Sequence, residues 1–190
     1  MPKYLVIIEG PGKIKKVSAA LGKDYKVVAS KGHCVDLPAK GKNISVKKDK
    51  ATGDYSFTPN YQILDDKKEI VSDLVDLAQK HQTTYLMMDP DREGEAIAWH
   101  IANQLPASVK PVRVTTNSIT QSEIAKALKK TRSIDQDLVN SYEARRILDR
   151  LVGYECSFLT TQATGGRSVG RVQSAALRIL ADREKSIQSF

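Results

Sequence analysis

The sequence predicts an α/β fold in which a mostly parallel sheet is flanked by helices. Short runs of consecutive apolar residues, typical of buried strands, alternate with stretches whose apolar side chains recur at helical spacing. The length of 190 residues suits one domain, or one domain with part of another. Hydrophobic residues make up 41% of the chain and charged residues 27%, as in globular proteins with a packed core.

The elements follow one another in a regular order. Strands are predicted over the apolar runs at residues 3–8, 25–29, 84–88 and 111–114. Helices are predicted over residues 13–21, 66–80, 94–105 and 121–130. Gly22 ends the first helix, and Thr120 can cap the fourth together with Glu123. The lysine-rich segment 38–54 predicts a basic loop or hairpin.

The pattern changes near residues 131–136, where we predict a domain boundary. Residues 1–136 hold the alternating strands and helices, whereas residues 137–190 hold no predicted strand. Two helical stretches, near 137–153 and 168–187, are joined by a segment rich in threonine and glycine. The second part is therefore predicted as the helical beginning of another domain.

The net charge of +8 is unevenly distributed along the chain. Residues 1–50 carry 12 basic and 4 acidic side chains, residues 51–137 carry 10 and 13, and residues 138–190 carry 8 and 5. Basic ends indicate an anionic partner, most often nucleic acid or a membrane surface. Because carboxylates repel phosphates, an acidic middle beside a polyanion suggests that a divalent cation bridges the two.

Several classes of protein are disfavoured. The sequence holds no apolar run near the roughly 18–20 residues of a membrane helix, and its start does not resemble a secretory signal peptide. Cys34 and Cys156 are far apart, which argues against a disulfide scaffold or a cysteine-rich zinc site. We therefore expect a cytoplasmic protein without membrane partners, associated with the nucleoid in a bacterium, or in host cytoplasm or a virion for a virus.

The acidic run Asp89-Pro90-Asp91-Arg92-Glu93 directly follows a predicted strand. In α/β folds, sites lie at the carboxyl ends of strands. Three carboxylates within five residues repel one another unless a cation neutralises them, and such oxygen ligands suit Mg²⁺. The alternative is a solvated acidic turn in which Glu93 and Glu95 favour a helix N-terminus.

Glu9 and Lys13 follow the first predicted strand. Because parallel strands end at the same edge of a sheet, Glu9 can face the acidic run and bind metal or relay a proton. Lys13 can hold a phosphate near a helix start. The sequence fails the P-loop pattern GxxxxGK[ST], which disfavours a nucleotide cofactor. For both residues, and for His33 after Gly32, a solvated or structural role stays open.

The C-terminal part carries basic stripes. Arg146 and Arg150 are neighbours on one helix face, and Asp149 can pair with Arg145. A second basic face is predicted at Arg167, Arg171, Ser174, Arg178 and Lys185. Arginine forks fit phosphate, which favours contacts to a DNA backbone, although solvated helix faces are the alternative. With aromatic residues at only 6%, a stacking platform for single strands is not obvious.

Six motifs succeed one another over almost the whole chain. They lie at residues 5–13, 32–38, 57–61, 89–100, 144–154 and 168–174. In this order they resemble the N-terminal part of bacterial-type DNA topoisomerase I, a type IA topoisomerase. The resemblance implies a Toprim domain, a Rossmann-like fold with a mostly parallel sheet, over residues 1–136, followed by the start of a helical DNA-binding domain at residues 137–190.

The resemblance also implies roles for individual residues. The Asp89, Asp91 and Glu93 positions bind Mg²⁺ in the family, Glu9 binds metal or transfers a proton at the cleaved bond, and Lys13 stabilises the scissile phosphate. We count these five residues as catalytic, and Glu9 with the three acidic-run residues as metal ligands. Contacts to single-stranded DNA are expected from His33, Arg92, Arg113, Arg145, Arg146, Asp149, Arg150, Tyr154, Ser168, Val169, Gly170, Arg171, Val172 and Gln173.

The implied activity is ATP-independent relaxation of negatively supercoiled DNA by a monomeric enzyme. One strand is cleaved through a 5′-phosphotyrosyl link, another strand passes, and the break is religated. None of the seven tyrosines has the expected Arg-Thr neighbourhood of the nucleophile, so we interpret the chain as a fragment or truncated relative that is inactive alone. Tyr142 and the segment 115–120 depart from the family pattern. A Toprim nuclease or primase-like enzyme, or a non-catalytic DNA-binding module, stays as an alternative.

Overall fold

The computed structural model describes residues 2–190 and divides into two compact units. The first unit comprises the residues up to Ala39 together with Asn60–Glu143, and the second comprises Lys40–Pro59 together with Ala144–Phe190. Fourteen main elements follow one another along the chain: β1 Tyr4–Ile8, α1 Ile14–Leu21, β2 Tyr25–Ala29, β3 Val35–Asp36, β4 Ile44–Lys48, β5 Tyr55–Pro59, β6 Gln62–Ile63, α2 Lys68–Lys80, β7 Thr83–Met88, α3 Arg92–Gln104, β8 Val112–Thr115, α4 Gln121–Lys129, α5 Gln136–Thr164 and α6 Arg171–Gln188.

The first unit is built on a four-stranded parallel sheet in the order β2-β1-β7-β8. The inner strand β1 is apolar on both faces, as expected for a parallel strand covered on both sides. Leu5 and Ile7 pack with residues of α2 and α3, whereas Val6 and Ile8 pack with residues of α1 and α4. The predicted α/β class, with helices on both faces of a parallel sheet, is confirmed.

Helix ends in this unit follow from local chemistry. Gly22 closes α1 with a φ of +81°, a backbone conformation in which glycine is favoured. The Thr120 hydroxyl accepts a hydrogen bond from the Glu123 amide at 3.4 Å and caps α4, as predicted. Helix α3 begins two residues earlier than predicted, because the Asp91 carboxylate caps its start by accepting from the Gly94 amide at 2.7 Å.

The second unit contains the β4–β5 hairpin, the later part of α5, the connection at residues 165–170, and α6. The hairpin extends beyond the predicted segment, since Lys48 pairs with Tyr55 and Ile44 pairs with Pro59. Helix α6 begins at Arg171 rather than at residue 168.

Helix α5 is longer than predicted and continues to Thr164. The hydroxyl of Thr161 donates to the Ser157 carbonyl at 2.8 Å, and that of Thr164 donates to the Thr160 carbonyl at 2.9 Å. Both hydroxyl groups thus bond to carbonyls one turn back, which gives them partners within the helix. Across residues 2–190, the helices lack an apolar stretch of the length needed to span a lipid bilayer.

Candidate functional site: an acidic sheet edge and a basic groove

Glu9 and Asp89 lie at the same edge of the sheet. They follow the neighbouring parallel strands β1 and β7, whose register pairs Ile8 with Met87. Lys13 lies at the same edge and ends a 3₁₀ turn over Pro11–Lys13 at the start of α1. The Lys13 Nζ lies 3.0 Å and 3.2 Å from the two carboxylate oxygens of Asp89. The ammonium group of Lys13 therefore lies directly against Asp89, the first carboxylate of the acidic run.

Asp91 and Glu93 complete the acidic run in different ways. The Asp91 carboxylate is engaged as the cap of α3. The Glu93 side chain is exposed, and its Oε1 lies 3.5 Å from Nε2 of His33. Gly94 lets the helix approach the strand end, since a Cβ at this position would lie 2.4 Å from the Asp89 carbonyl oxygen. A side chain at residue 94 would thus displace either the helix or the acidic run.

The pKa of Glu9 is raised above its usual value. Partial burial is the largest cause, followed by the negative charge of Asp89. Lys13 opposes the rise, whereas Glu93 and Asp91 add to it. The carboxyl group of Glu9 therefore holds a proton more readily than an isolated glutamate, which suits a group that exchanges a proton with a substrate oxygen.

A cleft of about 430 Å³ opens at this edge. Glu9, Lys13 and Asp89 line it from the ends of β1 and β7, and residues 116–119 line it from the loop after β8. In the sequence this loop stood out only as a departure from the family pattern. Its position after a strand that ends at the same edge was a signal that could have placed it at the cleft.

Arg113 is a correction to the sequence analysis. We expected it to contact DNA, but its side chain is completely buried. Its Nε donates to Glu95 at 3.0 Å, and its two terminal nitrogens donate to four backbone carbonyls, among them those of Met88 and Asp89 at 2.9 Å. All donor groups of the guanidinium are directed into the protein, so this arginine fixes the end of β7 instead of contacting a phosphate.

Glu95 is the buried partner that the sequence did not reveal. Its carboxylate accepts from Arg113, from both terminal nitrogens of Arg132 at 2.8 Å and 2.6 Å, and from the Asp135 amide at 2.8 Å. These bonds hold the pKa of Glu95 below its usual value, although burial acts in the opposite direction. The arginine inside the apolar strand β8 could have indicated a buried acid, because a buried arginine needs a charged partner.

His33 lies beside the acidic run and Arg92 lies within it, and the two side chains have different surroundings. The His33 ring stacks on Tyr142 with centroids 5.2 Å apart, and the tyrosine hydroxyl lies 3.4 Å from Nε2. Arg92 is exposed at the first turn of α3. Tyr142, a departure from the family pattern, thus positions the histidine next to Glu93.

The second unit gathers most of the expected DNA-contacting residues around one groove of about 570 Å³. Its lining comprises Arg146, Asp149, Arg150, Gly153, Tyr154, Ser157, Ser168, Val169, Gly170, Arg171, Val172 and Gln173. The groove is held by Asp149, whose Oδ1 lies 2.6 Å from Nη2 of Arg171, and by Arg150, whose guanidinium lies 5.6 Å from the centre of the Tyr154 ring. Arg145 lies outside the lining and pairs with Asp149 at 3.6 Å.

The residues at the acidic edge fit a divalent cation by their chemistry. Within residues 2–190, groups of three or more His, Cys, Asp or Glu side chains arranged to hold a metal ion are absent. Mg²⁺, however, requires only one or two carboxylates and keeps several waters. The pKa of Glu9 is raised first by burial and then by the negative charges of Asp89, Glu93 and Asp91, and a bound cation would offset this second contribution. The donors are therefore suitable, with Lys13 holding Asp89 in the arrangement seen here.

Comparison with known proteins assigns the first part of the chain. Residues 4–119 match the family model described as Toprim domain. The chain belongs to the Toprim domain family. Residues 133–190 match the family model described as DNA topoisomerase.

Curated relatives of the chain are named DNA topoisomerase 1. The chain is 44% identical to DNA topoisomerase 1 of Campylobacter jejuni over 192 aligned residues, covering 100% of this chain and 27% of that protein. It is 43% identical to DNA topoisomerase 1 of Helicobacter pylori, covering 99% of this chain and 25% of that protein. The chain thus spans about a quarter of the length of these relatives.

A solved structure has the same fold. Full-length topoisomerase I from Thermotoga maritima, at 38% sequence identity, superimposes with a TM-score of 0.83 over 98% of this chain and 31% of that chain. The resemblance to bacterial topoisomerase I that the motifs indicated is confirmed, as is the Toprim fold.

Proposed function

We propose that this chain is the part of a type IA DNA topoisomerase that holds the scissile phosphate and one stretch of single-stranded DNA. The observation that carries the proposal is the placement of Lys13 against Asp89 beside Glu9 in one cleft of a Toprim domain. A cation and a proton-exchanging acid at a strand end are the groups that phosphoryl transfer needs.

The proposed reaction exchanges one phosphodiester for another. A tyrosine from outside residues 1–190 loses its phenolic proton to solvent, attacks the phosphorus, forms a 5′-phosphotyrosyl bond and releases the 3′-oxygen of the cleaved strand, which takes up a proton. After another strand passes, the 3′-hydroxyl gives up that proton, attacks the same phosphorus and releases the tyrosine, which regains a proton from solvent. Because one ester bond replaces another at each step, relaxation requires no ATP.

Two residues of this chain have proposed roles at the phosphate, and a third positions the strand end beside it. Lys13 binds a non-bridging oxygen, since its ammonium stands at the cleft and can exchange Asp89 for a phosphate. Glu9 gives a proton to the departing 3′-oxygen and accepts it again during religation, a task suited to its raised pKa. Arg113 positions the end of β7 through its bonds to Met88 and Asp89.

Asp89, Asp91 and Glu93, with Glu9 beside them, would hold Mg²⁺. The bound ion would supply positive charge between these carboxylates and the DNA backbone. Glu93 is exposed and would exchange its contact with His33 for the ion, whereas Asp91 also caps α3.

The groove of the second unit is the proposed binding site for single-stranded DNA. Arg146, Arg150 and Arg171 supply phosphate-binding guanidinium groups, and Tyr154 supplies an aromatic ring. We propose a monomeric cytoplasmic enzyme that binds the single-stranded region of negatively supercoiled DNA.

Relaxation of a negatively supercoiled plasmid by the full-length protein tests the reaction. We expect Mg²⁺-dependent relaxation without ATP, and loss of cleavage and religation in Glu9→Gln. Residues 1–190 alone should relax nothing. Persistent hydrolysed ends in place of closed circles would instead support a Toprim nuclease, and relaxation by Glu9→Gln at the normal rate would refute the role of Glu9.

Thermal unfolding of residues 1–190 tests the cation site directly. Mg²⁺ should raise the Tm of the unaltered chain, because a ligand that binds only the folded state stabilises it. The Asp89→Asn/Asp91→Asn variant should lose this rise. Asp73→Asn/Asp76→Asn on α2 is the matched control, since it removes the same charge from exposed positions. An equal Mg²⁺ effect in all three proteins would refute the site.

A further inference from the structure

The β4–β5 hairpin carries a surface that the proposed mechanism does not use. Strands Ile44–Lys48 and Tyr55–Pro59 pair antiparallel, with Val46 opposite Phe57 and Lys48 opposite Tyr55. Because side chains alternate between the two faces of a ribbon, these two pairs lie on one face. Lys47 and its partner Ser56 lie on the other face.

The aromatic rings of this face are open to solvent. Tyr55 is 58% exposed, Phe57 45% and Val46 49%. Lys48 completes the face, with its Nζ 5.4 Å from the centre of the Tyr55 ring. Two exposed rings, a half-exposed valine and a lysine therefore share one solvent-facing side of the ribbon.

The charge of the segment indicates an anionic ligand. Residues 40–59 hold five lysines against two aspartates. One of these aspartates, Asp49, is engaged by the backbone of the turn, where its Oδ1 accepts from the Ala51 amide at 2.7 Å. A positive surface with exposed rings has the composition of sites that bind single-stranded nucleic acid by stacking and phosphate contact.

The spacing of the rings also suits a single strand. Tyr55 and Phe57 are two residues apart on one strand, which separates them by about 7 Å along the ribbon. Aromatic residues on neighbouring positions of a sheet stack two or three successive bases in known RNA-binding folds. Duplex DNA keeps its bases stacked inside and presents no such faces, so the rings favour a single strand.

The hairpin belongs to the same compact unit as the basic groove. Arg150, which lines the groove, donates from Nη1 to the Gly41 carbonyl at 3.3 Å. Lys42 forms an ion pair with Glu155, the neighbour of the groove residue Tyr154. The base of the hairpin is therefore tied to the helix that forms the groove, so one strand can contact both.

We propose that the Val46/Lys48/Tyr55/Phe57 face of the hairpin is a second contact for single-stranded DNA, in which bases stack on Tyr55 and Phe57 and Lys48 binds a phosphate. The inference rests on the proposed function, because it extends the DNA path from the groove onto the hairpin. Lys47 faces the other side and provides a control with the same charge on the same strand.

Fluorescence anisotropy of a labelled oligothymidylate of about 20 nucleotides tests the proposal. Tyr55→Leu/Phe57→Leu keeps apolar bulk but removes the rings, and should weaken binding at least about fivefold. Ser56→Ala/Thr58→Ala changes the opposite face and should leave binding unchanged. Lys48→Ala should flatten the dependence of log affinity on log salt by about 0.7, and Lys47→Ala should flatten it less.

A tryptophan at the stacking position gives a second readout, which reports directly on a base close to the ring. Fluorescence of Tyr55→Trp, corrected for the single native tryptophan, should be quenched by the oligothymidylate but not by a matched duplex. Binding by the leucine variant equal to that of the unaltered chain, or no quenching, would overturn the proposal. If Arg146→Ala/Arg150→Ala lost binding while the hairpin variants kept it, the groove would be the only contact and the hairpin proposal would be wrong. Absence of binding by the unaltered chain would refute the proposed function itself.

Discussion

Replacement of Glu95 by glutamine should destabilise the first unit strongly, although the two side chains have almost the same shape. The carboxylate is fully buried and accepts hydrogen bonds from Arg113, Arg132 and the Asp135 amide. Glutamine keeps one acceptor oxygen but replaces the other by an NH2 group, which in either orientation would face donors, from Arg113 and Arg132 or from Arg132 and the Asp135 amide. The change would therefore remove hydrogen bonds and leave a buried positive charge without its counter-charge.

The magnitude follows from the burial of the two partners. The side chains of Glu95 and Arg113 are both 0% exposed, so water cannot solvate the arginine that remains. Breaking a buried ion pair by removing one partner costs about 3–5 kcal/mol. Arg132 is 34% exposed and will recover part of its solvation, which favours the lower end of the range. A loss of about 3 kcal/mol is a large fraction of the roughly 5–15 kcal/mol that stabilises a typical domain.

Urea unfolding followed by circular dichroism measures the loss. Glu123→Gln is the matched control, because Glu123 pairs with Lys126 at 2.8 Å on the surface, where such pairs contribute less than about 1 kcal/mol. We expect Glu95→Gln to lower the urea midpoint far more than Glu123→Gln. Equal midpoints for the two variants would refute the argument that burial makes the network indispensable.

Three further changes have defined outcomes. Gly94→Ala should lower the free energy of unfolding in urea by about 1–3 kcal/mol and weaken the Mg²⁺-dependent rise in Tm, because its Cβ would lie 2.4 Å from the Asp89 carbonyl oxygen. A variant with the stability of the unaltered chain would show that α3 can move away from the acidic run without cost. Burial lowers the pKa of His100 to about 4, so the free energy of unfolding should fall as pH drops from about 6.5 toward 4. His100→Gln should reduce the loss of stability between pH 7 and pH 5 by about 2 kcal/mol, and equal losses in the variant and the unaltered chain would contradict the burial argument. Lys13→Ala should strengthen Mg²⁺ binding about two- to fivefold, since it removes a cation 3.0 Å from Asp89, whereas Lys16→Ala should not; weaker binding would mean that the lysine supports the metal site.

The strands and helices of the first unit could be predicted because their signals are local. The apolar run at Tyr4–Ile8 marks a strand buried on both faces, and Thr120 marks a helix start through its own hydroxyl. Helix α5 was underestimated because Gly153 and the threonines near its end are weak helix formers. In the folded chain the hydroxyl of Thr161 bonds to the Ser157 carbonyl one turn back, so this polar group has a partner inside the helix.

The β5 strand escaped prediction for a related reason. Tyr55 and Phe57 alternate with Ser56 and Thr58, but the run is short and follows a turn-rich segment. Its strand character depends on pairing with Ile44–Lys48, which only the folded chain brings alongside. The exposed rings that now suggest a stacking surface could therefore not be distinguished from core aromatics by composition.

By itself, the sequence determined the α/β class, the position of Glu9 and the acidic run at strand ends, and the motifs that identify the family. These depend on residues close together in the chain, where periodicity and spacing are visible. The tertiary structure decided which charges meet. It directed Lys13 onto Asp89, buried Arg113 against Glu95, and assembled the groove from α5 and the start of α6. Burial and charge pairing arise between distant segments, so the chemical role of a charged residue depends on the fold around it.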